Sequence, residues 1–367
     1  MRPRSPDPAS AARPKAGSVI VLVLLFVVLL TFVVVAFLED ATSRIRYYGL
    51  FHNRDDLRVD AYSALEISLA VVNQYREIEG ALWGPGQGWG DPLGVVGFRP
   101  SHAAGVTVTF EDESARLPLQ SLDYDTLLVL FRTLGFDLPQ AQSLADGLLD
   151  WQDEDDLRRL SGFDGDDYLD MDPPYRPANA PVQSWDEFRL IKPFNTLFWD
   201  EDGIPVPEWQ QFRGAVSLFH KGAVNVNHAS PLVLELLQEK GVLDVRSFDA
   251  FRAGPDGIPG TGDDRLLRGA NPDFPLGEGA QVSSQIELLR VRVEAVRGEA
   301  RFMLEALVTW AGANPGARPS AAQPGTPARA RAPARPQATR TAVARPGLAA
   351  ELGYPFRFVR LVENRNF

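Results

Sequence analysis

Residues 13–40 read RPKAGSVIVLVLLFVVLLTFVVVAFLED, a basic lead, one glycine and a long apolar run that stops at two acids. From Ser18 to Leu38 there are 21 residues without a charge. At about 1.5 Å per helical residue they reach roughly 31 Å, the depth of one bilayer core. A secretory h-region is only about 7–15 residues and ends in a small-residue cleavage site, which is missing here. The run therefore reads as a retained helix. Arg2, Arg4, Arg13 and Lys15 precede it, against Asp7, while Glu39 and Asp40 follow. The positive-inside bias thus places residues 1–17 in the cytoplasm and the rest of the chain beyond the membrane.

Working outward, "SRIRYYGLFHNRDDLRVDAYSALEISLAVVNQYREIEG" has no proline, and Leu65, Leu69, Val72 and Arg76 fall on one helical face. The membrane helix is expected to continue into an amphipathic one. A Gly/Pro-rich breaker follows, and then Val106, Val108 and Phe110 alternate with Thr107 and Thr109 as in a half-buried strand. Residues 119–280 switch to short helical segments opened by Ser, Asp or Pro and closed near Gly. Strand periodicity returns in "IELLRVRVEAVRGEARFMLEALVTW", with VRGEA as a hairpin turn, and in "YPFRFVRLVEN" near the C-terminus. Strands on both sides of a helical block predict an α+β domain with the block inserted between strands of one sheet. Residues 312–347 hold six Arg, no acid and mostly Ala and Pro, the composition of a disordered excursion. Arg-rich tracts also bind nucleic acid or anionic lipid.

The chain has 367 residues, no Cys and a net charge of −11. No disulfide can staple an exported body of this kind, so cores or bound ions must hold it. Without the basic leader and the Arg tract the body is near −20, which repels phosphate backbones and suits cations or basic partner faces. No nucleic acid partner is expected. The four His are scattered, and H-E-x-x-H, G-x-S-x-G, P-loop and Rossmann signatures are missing, so the chain reads as non-enzymatic.

Two acidic stretches could take a hard cation. "DWQDEDDLRRLSGFDGDDYLDMD", residues 150–172, holds ten acids, and its candidate calcium ligands are Asp153, Asp155, Asp156, Asp164, Asp166 and Asp167. The spacing is not that of an EF-hand, and a solvated acidic loop is the competing reading. "GPDGIPGTGDDR" brings Asp256, Asp263 and Asp264 onto a Gly-rich stretch, either a second ion site or only a turn. "VNVNHASPLVLELL" resembles the first half of a helix-hairpin-helix DNA-binding unit, but the glycine turn and second helix do not follow. Asn turns and helix capping are the favoured reading there.

Taken together, the basic leader and Gly17, "FEDESARLPLQSL", "LLDWQDEDD", "DDYLDMDPPYRPANAPVQSWDEFRLI" and "VNVNHASP" resemble the minor pseudopilin K (GspK) family of type II secretion systems. The likeness spans nearly the whole chain except the Arg/Pro tract. It implies a pilin-like long helix with an antiparallel sheet and a large inserted helical, SAM-like domain. The expected divisions are a prepilin leader at 1–17, an assembly helix at 18–38 and a pilin-like helix with first strands at 39–118. An inserted domain at 119–280, strands at 281–311, the excursion at 312–347 and a last strand at 348–367 complete the order.

The resemblance further implies cleavage by a prepilin peptidase between Gly17 and Ser18, where many pilin-like proteins have Phe after the cut. Pilin-like proteins carry Glu at the fifth mature position, thought to pair with a neighbour's N-terminal amine. This chain has Leu22 there, which fits a subunit at the tip with nothing ahead of it. The implied partners are the I and J minor pseudopilins and other pseudopilins. The implied role is to initiate and cap the pseudopilus at the inner membrane, with the body in the periplasm. The alternatives are a type IV or competence-type minor pilin that binds DNA and a membrane-anchored hydrolase.

Overall fold

The computed structural model describes residues 17–155, 157–258, 264–269, 282–310 and 355–364. The tract at 312–347 lies outside these residues. One helix, α1 (Gly17–Glu79), runs unbroken through the apolar stretch and the amphipathic one. A short helix, α2 (Pro92–Val96), sits in the Gly/Pro-rich segment that follows.

The sheet has four strands, β1 (Gly105–Asp112), β6 (Leu288–Arg297), β7 (Ala300–Trp310) and β8 (Phe356–Glu363), in the order β1-β6-β7-β8, all antiparallel. β1 pairs with β6 from Gly105↔Val296 to Asp112↔Leu289, so residues 113–287 are an insertion between neighbouring strands. The turn at Gly298–Glu299 joins β6 to β7 as the VRGEA reading predicts.

Leu57, Ala61, Ala64, Leu65, Leu69 and Val72 of α1 form a stripe at helical spacing, packed on Val291, Val293, Ala295, Phe302 and Leu304. Because strand side chains alternate, this leaves Arg290 and Arg292 on the face away from α1. At the end of the stripe Arg76 lies 5.3 Å over the Trp310 ring. Asp60 is buried on α1 and accepts the backbone N–H groups of Ser101, His102 and Ala103 at 3.0, 2.7 and 2.7 Å. Those bonds tie the approach to β1 onto the helix.

The inserted body has its own core, from Leu117 to Leu267. In chain order its elements are β2 (Leu117–Pro118), α3 (Tyr124–Thr133), α4 (Leu138–Gln152), α5 (Gly165–Leu169), α6 (Lys192–Phe198), α7 (Pro207–Ala215), β3 (Val216–Ser217), β4 (Val224–Asn225), α8 (Pro231–Glu239) and α9 (Val245–Arg252). β5 (Val282–Ser283) pairs with β4, and β2 with β3. Caps explain the helix starts: Asp137 and Gln140 form a reciprocal box at α4, and Ser230 accepts from Val233 N ahead of Pro231 at α8. Phe131, Phe188, Phe194, Phe198, Trp209 and Phe212 stack and edge against one another at the centre, with ring centroids 5.0 Å apart for Phe188 and Phe194.

Candidate functional site

The apolar stretch of α1 is bare. Every residue from Ile20 to Leu38 is exposed, and Ile20–Thr42 is long and apolar enough to cross a membrane. Thr31 and Thr42 donate their hydroxyls to the carbonyls of Val27 and Leu38, so neither presents an unpaired polar group to an apolar surround. Gly17 is the first described residue of α1, Ser18 follows inside the helix, and Leu22 is 55% exposed among other apolar side chains.

In the acidic stretch the carboxylates mostly hold backbone. Asp146 accepts from Ser161 N, and Asp150 accepts from Arg159 N and Phe163 N, both at 3.1 Å. A Cβ on Gly162 would lie 1.8 Å from Asp150 Oδ2, so any side chain there would have to push this carboxylate aside. Burial pushes the Asp150 carboxyl up to about 6; the two N–H groups and Arg159 offset this only in part, and the charge of Asp153 adds to it. Asp155 accepts from Leu157 N, and Asp153 faces Arg159 at 3.6 Å. Asp164 caps α5 by accepting from Asp166 N and Asp167 N, while Asp167 accepts from Asp164 N and faces Arg158 at 3.4 Å. Asp166 is exposed, and Asp156 lies outside the described residues.

Asp150, Asp155 and Asp164 line one small cavity with Arg158 and Asn179, of about 10 Å³, room for a single water-sized occupant. Among the described residues no three His, Asp or Glu side chains are disposed as a ready-made metal site. In the second stretch Asp256 accepts from Ile258 N at 2.8 Å, an Asx turn. Asp264 is described, and Asp263 lies outside the described residues.

The two quoted motifs FEDES and VNVNH meet at the neck where the chain leaves the sheet for the inserted body and returns. Asp112 accepts from Ser114 N, from the Asn225 amide at 2.6 Å, and pairs with His228 Nδ1 at 3.3 Å. Asn227 donates to the carbonyls of Leu267 and Ser284 and accepts from Leu267 N. Asn225 and Asn227 are both buried, so these side chains knit the chain to itself and present no phosphate-gripping turn. His228 also bears on the segment after α1: a Cβ on Gly84 would meet its Nε2 at 2.7 Å.

Glu113 is the centre of the neck. It accepts the Ser217 hydroxyl at 2.6 Å and pairs with Arg290 at 2.7 Å and Arg116 at 3.2 Å. Arg290 also reaches Glu305 at 2.5 Å, and Arg292 bridges Glu305 at 2.8 Å and Glu111 at 2.6 Å. Burial alone would raise the Glu113 carboxyl, but Arg290, Arg116 and the Ser217 hydroxyl outweigh it and hold it below the usual carboxylate range. Glu287, beside this network, is pushed up by burial and by the charge of Asp112. The strand reading of the β6 segment singled out neither Arg290 nor Arg292. Arg290 is buried there and Arg292 half-buried, and the carboxylates that receive them, Glu111, Glu113 and Glu305, all come from outside β6.

A cleft of about 290 Å³ opens beside the neck, floored by Trp89 and Phe110 and walled by Glu111, Arg116 and His228. Trp89 and Phe110 meet edge to face at 5.1 Å.

Among solved structures, the GspK–GspI–GspJ complex of the enterotoxigenic Escherichia coli type 2 secretion system contains a similar chain. It shares 15% identity at a TM-score of 0.46, over 89% of this chain and 100% of that one. No curated protein matches the sequence. The sequence profile of the first domain of type II secretion system protein K matches residues 112–200, a span that starts at the neck carboxylate Asp112 and includes the acidic loop and α6. Residues 112–200 thus carry the first domain of type II secretion system protein K.

Proposed function

We propose that the chain is a non-enzymatic minor pseudopilin that initiates and caps the pseudopilus tip of a type II secretion system, and so supports protein export across the outer membrane. One observation carries the reading: a single unbroken helix is apolar and bare over Ile20–Thr42 and becomes the spine of the folded body from Leu57 onward. Such a helix suits lipid while the subunit waits in the inner membrane, and a bundle of like helices after assembly.

The basic leader keeps residues 1–17 in the cytoplasm and the body in the periplasm. Cleavage by prepilin peptidase after Gly17 leaves Ser18 as the N-terminus. Leu22 then places no buried carboxylate in the bundle, where an unpaired one is costly. A subunit with nothing ahead of it needs no such charge. The I and J minor pseudopilins are the partners in this reading, as they are for the E. coli protein solved in complex with them.

The test is the N-terminal mass of the membrane-extracted protein from cells with and without prepilin peptidase. A peptidase-dependent N-terminus at Ser18 supports the reading. An intact leader in both strains removes it and leaves a plain signal-anchored protein.

Calcium is a second element of the proposal, favoured by the small cavity that Asp150, Asp155 and Asp164 share in a body without disulfides. Their oxygen donors suit a hard divalent cation, and the ion would fasten the loop to α5.

A further inference from the structure

The inserted body is joined to the sheet by two chain crossings, residues 112–117 and 282–288. Bodies joined this way move relative to each other by default, because interfaces within a chain are commonly small and polar. The neck opposes that default with bonds whose two ends belong to different bodies.

Ser217 and Asn225 lie in the inserted body, at β3 and β4, while Arg290 and Glu305 lie in the sheet, at β6 and β7. Glu113 stands between them, with its Oε1 on the Ser217 hydroxyl and its Oε2 on the Arg290 guanidinium. Next to it, Ser114 Oγ accepts the backbone N–H groups of Glu287 and Leu288, both at 2.8 Å, and so fixes the start of β6. Asp112, the last residue of β1, holds Asn225 and His228. His228 is seated against Gly84 of the segment after α1. On the far side of the sheet, Arg360 of β8 lies 5.4 Å over the Phe219 ring of the inserted body.

Rotation about the two crossings would pull Glu113 from Ser217 or from Arg290, and Asp112 from Asn225. Each separation strands a buried charged or polar group. Only 1% of Glu113, 5% of Arg290 and 3% of Glu305 is exposed, so water is poorly placed to replace a lost partner. Buried ion pairs seldom outdo apolar packing in stability, and their best attested use is to specify one arrangement over others.

We infer that the neck is a conformational lock, with Glu113 as its pin, that holds the inserted body at one fixed angle to α1 and the sheet. Whatever displaces the stem helix then displaces the inserted body with it. The inference rests on the neck geometry alone and stands apart from the assembly reading.

The chain contains no Cys, so a pair of spin labels can be placed without removing native thiols. Ser63→Cys on α1 and Gln238→Cys on α8 are exposed positions, one in each body. Pulsed electron paramagnetic resonance on the full chain in detergent should give one narrow distance distribution. Glu113→Ala should broaden it severalfold while each body keeps its near-ultraviolet circular dichroism. If Glu113→Ala does not fold, Asn225→Ala, which removes the bridge to Asp112 and one bond to Asn227 N inside the inserted body, is expected to broaden the distribution to a smaller degree. A broad or bimodal distribution in the unmodified neck overturns the lock. So does a folded neck variant whose distribution stays as narrow as the parent's.

Discussion

Glu113 and Arg290 meet at 2.7 Å with 1% and 6% of their side chains exposed, across a neck where the chain passes from one core to another. Two charges withdrawn from water to this degree depend on each other, and loss of one leaves the other uncompensated. Arg290→Met is therefore expected to lower stability by about 3–5 kcal/mol, the range for breaking a buried pair from one side. Adding Glu113→Leu should recover part of that, because the stranded carboxylate goes too. Urea unfolding of the single and double variants measures it. Additive losses would mean that the two residues are not coupled.

Asp60 provides the pH-dependent contact. Burial raises its carboxyl, yet the backbone N–H groups of Ala103, His102 and Ser101 outweigh burial and hold it below the ordinary value. Because the folded value is lowered, its stabilising contribution is complete above the unfolded value near 3.9 and fades as pH falls through the folded one. Asp60→Asn should thus cost about 2 kcal/mol at pH 7, and the gap to the parent should close below pH ~4. Thermal unfolding of both proteins from pH 7 to 3 checks this; a gap constant with pH would point to packing and not charge.

Much of this fold was legible because its signals are local. The apolar run, the period-2 strands, the VRGEA turn and the capped helix starts each follow from a few adjacent residues. Return of the strands to one sheet followed from their order around the helical block. The neck was not legible in the same way. Asp112 is more than a hundred residues from Asn225 and His228 in sequence, and nothing in VNVNH alone says that its first amide and its imidazole face a carboxylate at the end of β1. The motif could be singled out, but its partner could not. Asp150 was overlooked among the ten acids of its stretch because burial, not composition, distinguishes it.

Gly84 is constrained by what lies opposite. A Cβ there would stand 2.7 Å from His228 Nε2 and 2.8 Å from Cε1, and the imidazole is held on its other side by Asp112. Gly84→Ala should cost about 1–3 kcal/mol, the usual range for overpacking. With His228→Ala already present the same change should cost clearly less, since the opposing ring is gone. Equal costs in both backgrounds would show that backbone conformation, and not the ring, selects glycine.

The calcium proposal is tested most cleanly at α5. Asp164 caps that helix through its side-chain oxygen, and Asn caps about as well as Asp, so Asp164→Asn, Asp166→Asn and Asp167→Asn together should keep the helix start. What they remove is negative charge beside the cavity shared by Asp150, Asp155 and Asp164. In the parent protein the melting temperature should rise on adding calcium and fall back with a chelator, as for any ligand that binds only the folded state. In the triple variant that shift should shrink or vanish, while the chelator-treated proteins melt within a few degrees of each other. An undiminished calcium shift would remove Asp164, Asp166 and Asp167 from the site, and no shift in the parent would remove calcium from the protein.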